Sequence, residues 1–266
     1  MKQTLRQTIT QSLLLLGSCY ALQLCAATKE PWQLAEETEV WEPVPNIISV
    51  PLAAPQSGTL NGTPSDAITL FDGSNLDQWE SANSGSAPWK IVDGALVVVP
   101  QTGDIKTKAS FCDLQVHVEW RTPTQITDAD GKLLESQARN NSGVFLQERY
   151  EVQILDSYNN KTYSNGQAAA IYKQSIPLIN ATRAPGEWQT YDIIFSAPQF
   201  DKHKKLKKPA YVTVLHNGVL VQNHVEIQGA TEWIGKPVYK AHECAPLRLQ
   251  DHGNAMNFRN IWVRKL

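Results

Sequence analysis

Little of this chain is charged, less of it is sulfur, and no long stretch repeats with a helical period. Charged residues make up 19% with a formal net charge of -2, so no basic field exists to hold nucleic acid or an anionic membrane surface. Of the four cysteines none forms a C-x-x-C pair, which removes the usual thiolate metal sites, and no H-E-x-x-H stretch occurs. Beyond the N-terminus no apolar run approaches the roughly 20 residues that a membrane-spanning helix needs. Without long amphipathic periods a helical bundle is also excluded.

What is present begins with Lys2 and Arg6, an apolar stretch from Leu13 through Gly17 to Leu24, and the small residues Ala26 and Ala27. This is the layout of a secretory signal peptide over residues 1–27. Its removal takes the net charge from -2 to -4. The alternative is lipoprotein processing at Cys19, because Leu16-Gly17-Ser18-Cys19 resembles a lipobox, although the apolar residues after it make a poor tether. Either route leaves Cys112 and Cys244 in an oxidising compartment, periplasmic or extracellular, where they are either two buried thiols or one disulfide. Residues 28–65 carry Pro31, Pro43, Pro45, Pro51, Pro55 and Pro64 and read as an extended lead-in. Trp32 and Trp41 within it are expected to dock on the domain rather than to touch ligand.

From Asp66 onward the pattern is strand and turn. Ile68–Phe71 stops at Asp72-Gly73, Trp89–Val92 at Asp93-Gly94, and His216-Asn217-Gly218-Val219 is a two-residue hairpin signal. In Phe111–Arg121, Leu114, Val116, Val118 and Trp120 alternate with Gln115, His117, Glu119 and Arg121. Tyr191–Phe195, Tyr211–His216, Leu220–Ile227, Pro246–Gln250 and Asn257–Arg264 add further strands. Eight tryptophans and many short strands predict an all-β domain over 66–266, a jelly-roll sandwich of two antiparallel sheets. The run from Lys202 to Lys208 reads as a solvated hairpin tip. Ser157–Arg183, with Tyr158, Tyr163, Tyr172 and Lys173, is too long for a hairpin loop and is expected to carry function.

The most selective stretch runs from Asn141 to Asp156. Asn141, Gly143, Phe145 and Gln147 share one face of a strand; Glu151 and Gln153 oppose Val152 and Ile154 on the next. Acid, amide and small residues at alternate positions suggest a sugar-binding face, joined by Glu119, by Arg248, Gln250 and His252, and by Asn257 with Arg259 or Asn260. His252 is a candidate acid, base or metal ligand. A divalent metal held by His117, Glu119 and His252 is an option that no single motif requires. Glu151-Val152-Gln153-Ile154-Leu155-Asp156 resembles the E-x-D-x-x-E strand of laminarinase-type glucanases, with Gln153 in place of the middle acid and Asp156 in place of the last. A bulge would bring Asp156 onto the face of Glu151 and give the carboxyl pair of a glycosidase.

Leu70-Phe71-Asp72-Gly73 with Leu76 and Trp79, Asn141-Ser142-Gly143-Val144-Phe145, Tyr150–Asp156, Gly186-Glu187-Trp188-Gln189-Thr190-Tyr191, Leu249–Gly253 and Phe258-Arg259-Asn260-Ile261 together resemble the 3-keto-disaccharide hydrolase family. Its members are also described as 3-keto-glucoside 1,2-lyases and 3-keto-2-hydroxy-glucal hydratases. One departure is Arg139-Asn140 before Asn141, where the family often has Gly. The resemblance implies a concanavalin A-like fold and a 3-keto-sugar substrate supplied by a sugar 3-dehydrogenase acting upstream. It implies removal of the C2 proton with elimination at C1, hydration of the glucal, or both. On that reading Glu151 is the base and His252 the acid or electrophile. Arg248, Gln153, Asn141 and Glu119 position the sugar, and Gln250 and Asp156 complete the binding set. A conventional glycosidase and a non-catalytic carbohydrate-binding module are the competing readings.

Overall fold

The computed structural model describes residues 29–48, 63–128 and 130–266. The leader expected over 1–27, with the alternative anchor at Cys19, lies outside the described residues, as does the middle of the lead-in. The long sheet runs in the order β13 (Val219–Glu226), β12 (Tyr211–His216), β9 (Gln189–Ser196), β6 (Leu114–Arg121), β15 (Asn257–Lys265), β4 (Ala95–Val97) and β3 (Lys90–Val92), with β1 (Ile68–Phe71) also paired to β15. The short sheet runs β2 (Trp79–Ser81), β5 (Ile105–Phe111), β14 (Ala245–Leu249), β7 (Asn141–Leu146) and β8 (Tyr150–Leu155). Every pairing between these strands is antiparallel. This is the jelly-roll sandwich that the alternation predicts.

The side-chain period of two puts Leu114, Val116, Val118 and Trp120 of β6 into one core with Val144 and Leu146 of β7 and with Val152 and Ile154 of β8. Tyr191 of β9 crosses that core, and its hydroxyl donates to the carbonyl of Gln153 at 2.8 Å. A buried phenol needs such a partner, and here the bond ties the long sheet to β8. The turns follow the expected chemistry. Asp93-Gly94 and Asn217-Gly218 adopt positive φ at both residues (49° and 72°, 53° and 79°), as a two-residue hairpin requires. The lysine run forms the exposed tip between β10 (Gln199–Phe200) and β11 (Leu206–Lys208). Strand β5 carries too little apolar alternation to announce itself; Lys106 and Lys108 point away from a core that takes Ile105 and Phe111.

Two expectations change. The lead-in is not simply extended, because Pro31–Glu36 forms a short helix, α1, with Glu30 and Gln33 in a capping box. Trp41 does pack, edge-on against Tyr163 at 6.1 Å, but Trp32 remains 55% exposed on the wall of a cleft. The loop after β8 is ordered and mostly buried. Its Ala169 and Ala170 exchange backbone hydrogen bonds with Gln153 at 2.9 Å, so it closes the free edge of the short sheet.

Of the two readings for the cysteines, the structure takes the bridge. Cys112 and Cys244 are joined with Cα atoms 4.7 Å apart across a sequence separation of 132, where β5 ends and β14 begins. Closing so long a loop removes denatured-state entropy worth at most about 5 kcal/mol. Cys244→Ala is expected to lower stability by roughly 2–5 kcal/mol, measured as a lower urea midpoint together with a steeper slope from the more expanded denatured chain. An unchanged midpoint would mean that the strand pairing alone sets the stability.

Candidate active site

The register of β7 against β8 sets Gly143 opposite Gln153 and Phe145 opposite Glu151, while Val144 and Val152 turn into the core. Asn141, Gly143, Phe145, Glu151 and Gln153 therefore share the face of the short sheet that looks away from the core. Strand β14 adds Arg248 beside Phe145, and the Gln250 amide donates to the Gly143 carbonyl at 3.1 Å. His252 is exposed and lines the same cleft as Asn141.

Glu151 lies at the centre of this face and is only 4% exposed. Among the described residues nothing donates a hydrogen bond to its carboxylate. Gly143 makes the space: a Cβ there would stand 2.5 Å from Glu151 Oε1 and 2.9 Å from the Phe145 ring. Burial raises the Glu151 carboxyl to about 8, with Arg248 pulling it down and Asp104 pushing it up. Arg248 is itself occupied. Its guanidinium lies 3.9 Å from the Phe145 ring centroid, bonds Asp104 Oδ2, and donates to the Glu148 carbonyl at 3.2 Å. Asp104 in turn accepts the Asp251 amide at 2.8 Å. The guanidinium's attraction is thus largely spent on Asp104, and the desolvated Glu151 stays a weak acid.

An amide cluster lies beside it. Gln153 Nε2 donates to Gln137 Oε1 at 3.0 Å and to Asn141 Oδ1 at 3.2 Å, and Asn141 Nδ2 donates to the Gln137 carbonyl at 3.0 Å. Gln153 Oε1, Gln250 Oε1 and Arg248 Nε are buried with no hydrogen-bond partner among the described residues, which leaves capacity for the hydroxyls of a ligand. Above the sheet, Tyr163 and Tyr172 share a hydroxyl contact of 2.7 Å. Burial raises both phenols, Tyr172 to about 12, and the Glu151 charge contributes to each rise. The cleft holds about 670 Å³ and is walled by Trp32, Glu36, Glu39, Gln137, Trp233 and His252 among others. Tyr163, Tyr172 and Lys173 sit on the long loop that its length marked as functional. Asp104, Gln137 and Trp233 had no comparable signal, because each reaches the site by long-range pairing rather than by strand period.

Several candidate residues lie elsewhere, and Asn257, Arg259 and Asn260 sit on β15 of the long sheet rather than on the face of Glu151. Glu119 belongs to β6 of the long sheet, on its outer face. It takes Arg259 Nε at 2.6 Å and Asn260 Nδ2 at 2.9 Å, while His117 Nδ1 contacts Asp192 at 2.7 Å. Burial opposes charge on both groups. The hydrogen bonds win, holding Glu119 down to about 2 and His117 up to about 9, so both are ionised at neutral pH. Asp156 also leaves the face of Glu151. The pairing of β7 with β8 runs without a bulge, and Asp156 ends in a buried pair with Arg139 Nε at 3.0 Å. Glu119 therefore positions no sugar beside Glu151, and the glucanase-like carboxyl pair is not built. The metal set of His117, Glu119 and His252 is split between two faces, and among the described residues no three His, Cys, Asp or Glu side chains gather as ligands.

The raised Glu151 has a consequence for stability. Its folded-state value exceeds the ordinary 4.5, so its contribution is full below about pH 4.5 and is lost as pH rises through about 8. Glu151→Gln is expected to leave the melting temperature nearly unchanged at pH 5 and to raise it at pH 8.5, by on the order of a few kcal/mol of stability. Equal shifts at both pH values in a thermal melt would refute the buried-carboxyl assignment.

Solved structures share this arrangement of sheets. A candidate glycosyl hydrolase from Parabacteroides distasonis is 51% identical, with a TM-score of 0.74, over 87% of this chain and 96% of the other. A second candidate glycosyl hydrolase from the same organism is 21% identical, with a TM-score of 0.52, over 74% and 92%, and shows the fold alone. No curated protein matches the chain. Residues 66–264 match the model of the 3-keto-alpha-glucoside-1,2-lyase-like domain, and the chain belongs to that family.

Proposed function

We propose that the protein cleaves 3-keto-glycosides, with Glu151 as the base that removes the C2 proton. The observation that carries this reading is the environment of Glu151: a buried carboxyl raised to about 8, with no hydrogen-bond donor to it among the described residues, while Asp104 and Asp156 are paired with arginines. A retaining or inverting glycosidase needs two carboxyl groups across the scissile bond. Here Asp156 is held by Arg139, and Asp104 is held by Arg248. A single strong base suits a substrate whose C3 ketone has already acidified the C2 hydrogen.

The reaction balances without an oxidant. Glu151 takes the C2 proton, the electron pair forms the C1=C2 bond through an enolate of the C3 ketone, and the C1 oxygen leaves with a proton from His252. Water then adds its oxygen to C1 and gives one proton to His252, which had lost its own, while Glu151 returns its proton to C2. Arg248, close enough to influence Glu151, stabilises the enolate oxygen. The amides of Asn141, Gln153 and Gln250 hold sugar hydroxyls. The family likeness and the 51% identical candidate glycosyl hydrolase support a sugar substrate. A sugar 3-dehydrogenase must act first to install the ketone.

The assay offers a 3-keto-glucoside and its unoxidised parent. Release of aglycone only from the keto-sugar is expected, with kcat/KM rising with pH to an apparent pKa near 8, because the base must be ionised. A rate that does not fall as the pH drops below about 8 would remove Glu151 as the base. Glu151→Gln is expected to cost at least about a hundredfold in kcat. Release from the unoxidised parent would favour a conventional glycosidase, and binding without release a carbohydrate-binding module.

Export belongs to the same proposal. The apolar leader and the Cys112–Cys244 bridge both suit an oxidising compartment, periplasmic or extracellular. N-terminal sequencing of protein made in its host is expected to begin at Ala27 or Thr28; a chain retaining Met1 would contradict export.

A further inference from the structure

We propose that Lys173 assembles a clamp for the leaving group of the substrate, by tying two tryptophan-bearing segments to the mouth of the cleft. The inference rests on the reading of a glycoside substrate given above and adds the part of the molecule that selects the aglycone.

The lysine is placed by strain and by bonds. It adopts φ 58°, in the left-handed region that a residue with a side chain enters only at a cost, and its amide donates to the Asn165 carbonyl at 2.8 Å. From there its ammonium donates to the Ala35 carbonyl at the end of α1 at 2.6 Å and to the Trp233 carbonyl at 2.9 Å. It also stands 5.6 Å and 5.8 Å from the ring centroids of Tyr163 and Tyr172, the two phenols that the Glu151 charge raises. One side chain thus joins the lead-in, the Trp233 loop and the floor of the active site.

Both tied segments place an indole in the same cleft. Trp32 is 55% exposed and Trp233 54%, although each belongs to an ordered, hydrogen-bonded segment. Large apolar rings left half in water at the wall of a polar cleft suit stacking on a ring of the ligand. They come from outside the sugar-facing strands, so they border the portion of substrate beyond the ring that Glu151 attacks. Glu36, Glu39 and Glu135 also line the cleft, a combination that repels an anionic aglycone. The clamp therefore selects a neutral, ring-bearing leaving group. Residues 29–48 contribute to it, although the family match begins only at residue 66.

The tether and the clamp are tested separately. Hydrogen exchange followed by mass spectrometry on Lys173→Met is expected to show faster exchange in residues 29–42 and 228–238 together, with Lys173→Arg restoring protection to both. Release of only one segment, or of neither, would overturn the tether whatever reaction the enzyme performs. For the clamp, wild type, Trp32→Ala and Trp233→Ala are compared on the 3-keto forms of 4-nitrophenyl glucoside and methyl glucoside. Each variant is expected to lose about tenfold more in kcat/KM on the aryl substrate than on the methyl one, mainly through KM. Equal losses on both substrates, or none, would refute the clamp. A wild type that turns over neither keto-sugar refutes the proposed chemistry instead, and the exchange result still decides the role of Lys173.

Discussion

A carboxyl group taken out of water without a hydrogen-bond partner is the constraint around which this molecule is arranged. Burying Glu151 is unfavourable whenever it is charged, and each neighbour shapes that cost in a particular way. Gly143 leaves room for the oxygens, Phe145 forms an apolar wall, and Asp104 draws the positive charge of Arg248 partly away. Had Arg248 faced Glu151 without Asp104, the carboxyl would be an ordinary ion-pair partner and a poor base. The sandwich supplies the rigid frame in which such an unfavourable placement persists, because β7 and β8 are buried on both faces.

The two acid-containing clusters make an instructive contrast. On the outer face of the long sheet, Glu119 receives an arginine, an asparagine and a nearby protonated histidine, and it behaves as a strong acid. On the outer face of the short sheet, Glu151 has burial of the same order and no hydrogen bonds, and it behaves as a weak one. Burial alone does not set the character of a carboxyl; the supply of donors does. The first cluster joins β6, β9 and β15 across the sheet, and the second leaves its group free to exchange a proton.

The alternation of residues identifies the faces of strands well, and this is why Asn141, Glu151, Gln153 and Arg248 group together from the sequence alone. Period two tells which side of a strand a residue occupies but not which sheet the strand joins, so Glu119 was grouped with side chains that lie across the core. Asp156 failed for a different reason. Its place at the site depended on a bulge, and a bulge is decided by pairing partners rather than by local sequence. Trp32 sits in a Pro-rich segment whose composition says nothing about what it covers. The lysine run shows the reverse: a conspicuous sequence feature that the fold uses only to turn a hairpin.

The contact between Gly143 and Glu151 has an evolutionary consequence. Any side chain at 143 would meet the carboxyl and the Phe145 ring, so position 143 can grow only once position 151 has changed and the ring has shifted. A descendant that lost the acid would be released from the glycine and would have a ready cavity in which to grow a side chain. Loss of catalysis on this scaffold would then be hard to reverse, since regaining the acid would first require emptying the space opposite it.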